Sequence, residues 1–405
     1  MNERIVRHGI AKIMLAYWIM VILWQTFRPV ANRSIVDSLV KVSLFGVVLL
    51  HAIYNRDTRN SEPVVGAFMV FLLTQFITVI SDSLSVGALI TVGFMSALII
   101  TFLIMQRNEE ISGDSLEWLA KLIILTGVIM GLYSILFKTA RFVRSFTKVG
   151  IYGSECKSFL YSNHEYALYL ATAIILAVWL QYRKRGNGYL FALLVGFLTV
   201  NLISTFSRTA IIGCAAGVII LSFFMGSRTR GYIALAIAAA VCVLALSSDL
   251  RAFFLQKVLK NAIADSGSVL DKGRASMYND EWLYFLNGNF IEKLFGHGYN
   301  GNTTGGHDAY LMILNTGGIA MFLFFVSVIV WSLAKALICF RIQRETGSLC
   351  FALQTLVLLY MVAQTPILFY SSMDSFFITM LFVLIPLYTS NHLLRCAAAG
   401  KAASV

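Results

Sequence analysis

Long apolar runs separated by short polar stretches dominate the hydrophobic pattern of the chain. A helix of about 20 apolar residues crosses the hydrocarbon core of a bilayer, and the runs reach that length repeatedly. The pattern predicts an all-α polytopic membrane protein with about twelve transmembrane helices. They lie near residues 12–28, 35–55, 63–82, 85–106, 117–138, 164–182, 188–204, 209–226, 231–248, 309–339, 348–370 and 373–393.

The high hydrophobic content of the chain also indicates a membrane protein. Of its 405 residues, 58% are hydrophobic and only 13% are charged, whereas soluble domains are about half apolar and a quarter charged. Arg4, Arg7 and Lys12 precede the first run, and no small-residue cleavage site follows it. We therefore expect a first membrane span and not a cleaved signal peptide. The six cysteines are scattered and predict no disulfide framework.

The distribution of lysine and arginine predicts the orientation, because these residues collect in short cytoplasmic loops. If the N-terminus is cytoplasmic, the C-terminus and most basic clusters are too: Arg56 with Arg59, residues 183–185, Arg228 with Arg230, Arg341 with Arg344, and Arg395 with Lys401. Two long segments, 139–163 and 249–308, then face outside. The net charge of +12 mostly reflects these anchors, and no basic stripe with interleaved aromatic residues indicates a nucleic-acid partner.

The outer segment 139–163 is unexpectedly basic for its side of the membrane. The segment contains one acidic residue, Glu155, and four basic residues: Arg141, Arg144, Lys148 and Lys157. The cluster either anchors the chain to anionic lipid head groups or forms an anion site, in which Arg141 and Arg144 bind substrate.

A second cation lies between two apolar runs, in the stretch NLISTFSRTAIIG. Arg208 either extends its side chain to the lipid head groups or faces a polar cavity, where its guanidinium can hold phosphate oxygens bidentately. The next helix is expected to begin just after it, which would add N-terminal amide groups to the same anion site.

The larger outer segment contains its own set of candidate residues. In DKGRASMYNDEWLYF, Arg274 follows a glycine, and Tyr278 and Trp282 have helical spacing, which predicts a short amphipathic helix near the membrane interface. Tyr278 is a candidate for substrate binding. Candidates for stacking against sugars are Trp282, Tyr161, Tyr166, Tyr299 and Tyr310. Aromatic belts are also common at membrane interfaces without any ligand.

The stretch FGHGYNGNTTGGHDAYL predicts an irregular loop that brings His297 and His307 to the membrane surface. His307 is either a solvated histidine or a general base that acts near neutral pH. Asp308 either caps the helix that follows or belongs to a binding site. We expect no metal, because metal sites use three or four convergent ligands and no HExxH or paired-cysteine motif occurs.

Three stretches, in this order, resemble the superfamily of O-antigen ligases and Wzy-type polysaccharide polymerases: TFSRTAIIG, KGRASMYNDEWLYF and HDAYLMILNTGG. The similarity covers roughly residues 150–370. It implies a GT-C-like helical fold in a bacterial inner membrane, with the active site on the outer face. The donor would be a glycan on undecaprenyl pyrophosphate, without nucleotide sugar, cofactor or metal. Arg208 and Arg274 are implied to bind the donor pyrophosphate, and His307 to assist the acceptor hydroxyl.

Two positions differ from the family pattern. Asp308 stands where asparagine is usual, and the stretch FLYSNHEYALYL, with Asn163 and His164, aligns with a segment that commonly reads Asn-Pro-Asn. His164 and Glu165 are further candidates for substrate binding. Glu165 could act as a base, although a glutamate at a helix start also stabilises the helix dipole.

Three functions compete at this stage. A polymerase would transfer the glycan to another lipid-linked repeat unit, with a chain-length regulator protein as an additional partner, and a ligase would transfer it to the lipid A core. A transporter or flippase is the alternative of another class. Transporters place charges near the bilayer midplane, as Lys41 and Asp374 are placed here, but the other candidate charges collect at one face. The polymerase is the preferred prediction.

Overall fold

The computed structural model describes residues 112–147, 155–160, 162–184, 186–224, 274–297, 308–362, 364 and 377–398. The first four predicted spans, the span at 231–248, the midspan Lys41 and Asp374, and His307 lie outside these residues. The side chains of residues 274–277 also lie outside the description. Every regular element in the described part of the chain is a helix.

Packing divides the chain into two compact units, which we name by their place in the sequence. The central unit comprises residues 116–272 and 340–360, and the flanking unit comprises residues 1–115, 273–339 and 361–405. The central unit contains α1 to α5, apart from the first three residues of α1. These helices are Gly113–Phe137, Thr139–Thr147, Asn163–Lys184, Gly188–Ser204 and Arg208–Phe224. Most of α9, Arg344–Met361, belongs to the same unit.

In the flanking unit, α6 (Arg274–Asn287) and α7 (Phe290–Phe295) precede the long helix α8 (Ala309–Ile342), whose last turn crosses into the central unit. The last helix, α10 (Phe377–Ala398), contains a π-helical turn over Met380–Leu384. The side chain of Asn289 accepts a hydrogen bond from the amide of Glu292, whose carboxylate binds the Asn289 amide in return. This capping box explains why α7 begins directly after α6 ends.

Four helices in the described residues are long and apolar enough to cross a membrane: Gly113–Phe137, Asn163–Arg183, Ala309–Ile342 and Phe377–Ala398. They coincide with four predicted spans, and the all-helical architecture is consistent with a helical membrane protein. Exposed Leu125, Ile129, Leu132 and Leu136 line one face of α1, as expected for a helix in contact with lipid. The total of twelve spans stays a prediction.

The structure differs from the sequence prediction in several elements. Helices α4 and α5 lie where spans were predicted, at 188–204 and 209–226, with a turn over residues 205–207 between them. With 17 residues each, however, they are short for a membrane span. The predicted span at 348–370 is a helix that begins earlier, at Arg344, and ends at Met361. Helices α2 and α7 were not predicted, and α8 is broken by non-helical backbone at Gly318.

Candidate functional site

Helices α1 and α3 of the central unit are antiparallel, and each of their two ends is joined by a polar contact. Near one end, the Ser134 hydroxyl donates to the hydroxyl oxygen of Tyr166 over 3.2 Å. At the other end, Arg183 Nε lies 2.9 Å from Glu117 Oε1. The start of α3 and the end of α1 therefore lie at the same end of this unit. We call it the Arg208 end, because the turn before Arg208 lies there too.

The turn between α4 and α5 is buried although it is polar. Ser204, Thr205 and Ser207 are at most 1% exposed. Phe206, between them, has a φ of 55°, which is unusual for a residue with a side chain. Such a conformation costs roughly 1–3 kcal/mol and persists only where the surroundings hold it.

Arg208 is the first residue of α5, and its side chain is exposed. The sequence predicts that the next helix begins just after Arg208; in the structure Arg208 itself is its first residue. The backbone of Arg208 thus lies at a helix N-terminus, whose amide groups favour an anion. The anion site itself stays a prediction.

The first residues of α3 hold this turn. Asn163 Nδ2 donates to the Thr205 carbonyl oxygen over 2.9 Å, and His164 Nδ1 lies 3.2 Å from Ser207 Oγ. Asn163 and His164 are half-buried, as is Glu165 in the first turn of the same helix. The structure therefore brings His164 to within one residue of Arg208, although 43 residues separate His164 from Ser207 in the chain.

Tyr166, a candidate for stacking against sugars, is instead fully buried in a polar network next to this contact. Tyr166 donates from its hydroxyl to Asn201 Oδ1 over 3.1 Å, and it accepts from Ser134. Asn201 also donates from its amide to the Phe197 carbonyl oxygen. Polar side chains inside apolar runs were the available signal, because a buried polar group is nearly always hydrogen-bonded.

A short segment before α3 covers the same turn. The Cys156 amide donates to the Ser204 carbonyl oxygen over 3.0 Å. Ser158 has a φ of 52°, and its hydroxyl donates to the Met130 carbonyl oxygen over 2.7 Å. Both unusual backbone conformations of non-glycine residues in the described part of the chain thus belong to the Arg208 end.

The basic outer segment begins with a helix that follows directly on α1. Arg141 and Arg144 are exposed on α2, which packs against α4. On the same helix Ser145 is buried, and the rings of Phe142 and Phe146 pack edge to face with centroids 5.3 Å apart. Helix α2 therefore presents its arginines to the surroundings at the Arg208 end.

The remaining described candidates belong to the flanking unit. The predicted helix around Tyr278 and Trp282 is present as α6; Tyr278 is half-buried, and Trp282 is 45% exposed. The ring of Tyr310 packs against Phe325, with centroids 5.8 Å apart. Arg274 is the first residue of α6. Because Arg208 belongs to the central unit whereas Arg274 and His307 belong to the flanking unit, the convergence of these three residues stays a prediction.

Asp308 caps α8, as one of the two interpretations of this residue proposed. Its Oδ1 accepts from the amides of Tyr310 over 2.7 Å and of Leu311 over 3.2 Å. The oxygen of an asparagine side chain can fill the same role, so the departure from the family pattern preserves this function. Burial raises the pKa of the Asp308 carboxyl above its usual 3.8, although the two amide hydrogen bonds lower it.

Among the described residues, no three His, Cys, Asp or Glu side chains are grouped so that they could hold a metal ion. The structure describes only one of the two histidines of the predicted outer loop. His297 is packed against Tyr284, with ring centroids 4.2 Å apart, and His307 lies outside the described residues.

Comparisons with known proteins identify no relative. No model of a known protein family matches the chain, and no curated protein matches it significantly. The resemblance to glycan polymerases and ligases therefore rests on the three short stretches alone.

Proposed function

We propose that this protein is a membrane glycosyltransferase that polymerises a polysaccharide. It transfers a glycan from undecaprenyl pyrophosphate to a hydroxyl of another lipid-linked repeat unit. The observation that supports this best is the contact of Asn163 and His164 with the turn that precedes Arg208. A permanent cation, an imidazole and helix N-terminal amides meet at one end of the central unit, and these groups suit a diphosphate.

Arg208 would stabilise the leaving group. In the reaction, the bond between the anomeric carbon and the phosphate oxygen breaks, and the electron pair stays on the lipid diphosphate. A fixed guanidinium and helix amides stabilise the charge that develops there without needing to reorganise. Arg274 is proposed to hold the same diphosphate from the start of α6.

The acceptor hydroxyl forms the new bond to the anomeric carbon and loses its proton. We assign the proton to His307, because imidazole accepts protons near neutral pH. Asp308 fixes the start of α8 through its cap and so fixes the backbone that adjoins His307. Glu165 is the second candidate base, since it lies in the first turn of α3 next to His164.

The surroundings of the site would bind the rest of the substrate. Arg141 and Arg144 lie exposed at the Arg208 end and are proposed to attract the anionic part of the donor. Tyr278, Trp282 and Tyr310 are proposed to contact sugar rings, as aromatic faces do. In this proposal the Arg208 end faces the periplasm of a bacterial inner membrane, both termini are cytoplasmic, and a chain-length regulator is an additional partner.

Substitution of the two central residues tests the proposal. Arg208→Ala and His307→Ala should each lower glycan extension by roughly 100-fold or more while leaving membrane insertion intact. Arg341→Ala is the matched control, because Arg341 is also exposed but lies in the last turn of α8. Normal glycan lengths in cells that contain only the Arg208→Ala protein would refute the anion site.

Surface glycans of cells that lack the protein separate the related functions. Single repeat units attached to the lipid A core indicate that a polymerase was lost. Long chains that remain on the carrier lipid indicate a ligase instead. A transporter predicts that the purified protein moves lipid-linked glycans across vesicles without forming any glycosidic bond.

A further inference from the structure

Helix α8 consists of two pieces that meet at Gly318, where φ is 67° and ψ is −167°. We call residues 309–317 the arm. Residues 319–342 alone make a helix of roughly 36 Å, which exceeds the ~30 Å thickness of the hydrocarbon core. The arm is therefore not needed for crossing the membrane, so the membrane thickness does not determine its direction.

The break in α8 touches the turn that follows α7, and two glycines make this contact possible. Gly296, which ends α7, has a φ of 86°. A Cβ atom on Gly296 would overlap the Thr316 carbonyl oxygen, and a Cβ atom on Gly318 would lie 2.5 Å from the Leu294 carbonyl and from the Gly296 nitrogen. Only glycine allows both the positive φ and this close approach of two backbones.

Hydrogen bonds join the same two segments. The His297 amide donates to the Asn315 carbonyl oxygen over 2.8 Å, just before the break. Asn315 is 1% exposed, and its Nδ2 donates to the Glu281 carbonyl oxygen of α6 over 3.1 Å. The arm is thus tied both to the turn after α7 and to the middle of α6.

The imidazole of His297 is enclosed by the α6–α7 hairpin. Its ring lies 4.2 Å from the Tyr284 ring, measured between centroids, and its Nδ1 is 4.0 Å from Glu292 Oε1. A Cβ atom on Gly288 would lie 3.1 Å from the same ring. These contacts hold the His297 side chain in place, and with it the His297 amide that donates to Asn315.

We propose that Gly296, His297, Asn315 and Gly318 form a backbone latch that sets the direction of the arm. The latch acts as a positioning device: it holds Asp308 and the start of α8 in the orientation that glycan transfer needs. The part that concerns transfer rests on the proposed function, whereas the latch itself is a structural claim. It also gives a reason for the short distance between the HDAYL and NTGG stretches, which only three residues separate.

Two variants and one control test the latch in the full-length protein in lipid nanodiscs. Gly318→Ala adds a methyl group where two backbones meet. Asn315→Leu removes the hydrogen bond to α6 without a backbone clash, and it serves if the first variant folds poorly. Gly196→Ala is the control, because a Cβ atom there meets nothing within 4 Å.

Hydrogen exchange is the first measurement, since it needs no activity. We expect Gly318→Ala to abolish the slow exchange of the His297 amide, and Asn315→Leu to accelerate it, while α3 keeps the protection of the wild type. Unchanged exchange at His297 in both variants would overturn the latch. The Gly196→Ala protein should exchange like the wild type.

Extension of a lipid-diphosphate-linked repeat unit is the second measurement. We expect the rate at saturating donor to fall by roughly 100-fold in Gly318→Ala, as misplacement of a reacting group by about 1 Å can cause, with an unchanged KM for the donor. Faster exchange with a normal extension rate would refute the positioning role and leave the proposed function intact. If even the wild type extends nothing, the proposed function fails, and hydrogen exchange alone decides on the latch.

Discussion

The turn before Arg208 and the break at Gly318 both interrupt apolar helices, but they are held in different ways. At the turn, Phe206 adopts a positive φ despite its side chain, and the polar side chains of Asn163 and His164 reach the neighbouring residues. At the break, glycine supplies the positive φ, and the backbone of the turn after α7 packs directly against it.

This difference bears on what each region can do. A turn held by side chains leaves the first residue of the next helix exposed, so that Arg208 can meet a ligand. A break held by backbone contact excludes side chains and fixes the direction of a rigid arm. We therefore interpret the turn as a binding element and the break as a positioning element, each within its own unit.

The largest expected effect is on stability and separates the two regions directly. Gly318→Ala should lower the free energy of unfolding by at least about 2 kcal/mol, because the new methyl group is both strained and overpacked. Phe206→Gly should lower it by a smaller amount, since relief of the positive φ, worth roughly 1–2 kcal/mol, offsets part of the loss of the half-buried ring. Unfolding in detergent measures both. Equal losses in the two variants would contradict the distinction.

An intermediate effect is expected from the side chains that hold the turn. Asn163→Ala removes the hydrogen bond to the Thr205 carbonyl oxygen and should lower the free energy of unfolding by about 1 kcal/mol. The same variant should also lose glycan extension. Asn187→Ala is the matched control, because Asn187 caps the other end of α4 at a similar cost of about 1 kcal/mol. If both variants lose extension equally, the turn has no special role.

The smallest effect concerns the pH dependence of the α8 cap. Because burial raises the pKa of Asp308 in the folded state, its contribution to stability is fully present below the usual pKa of 3.8 and is lost as the pH rises through the folded-state pKa. Asp308→Asn keeps the capping oxygen and does not titrate. The stability of the wild type relative to this variant should therefore fall with rising pH across that window. A relative stability that stays constant or rises would contradict the assignment.

Local features of the site could be predicted from the sequence, and long-range ones could not. The helix start at Arg208, the helix around Tyr278 and Trp282, and the Asp308 cap depend on residues within a few positions of each other. The sequence also contains a signal for helix α2, because Phe142 and Phe146 are four residues apart and so lie on one helix face.

The contacts that define the two regions were beyond the reach of sequence periodicity. His164 meets Ser207 across 43 residues of chain, and hydrophobic spacing says only that both lie near helix ends. Gly296 and Gly318 meet through their backbones. A glycine in an apolar run predicts flexibility or close packing, without indicating which partner approaches.

We propose that the turn at Arg208 and the predicted loop at His307 serve one reaction on one side of the membrane. Single cysteines at these positions, Arg208→Cys and His307→Cys, test it in a chain whose own six cysteines have been replaced. A membrane-impermeant thiol reagent should label both from outside intact cells, whereas Arg341→Cys should react only after permeabilisation. Labelling of the first two positions from opposite sides of the membrane would contradict the account.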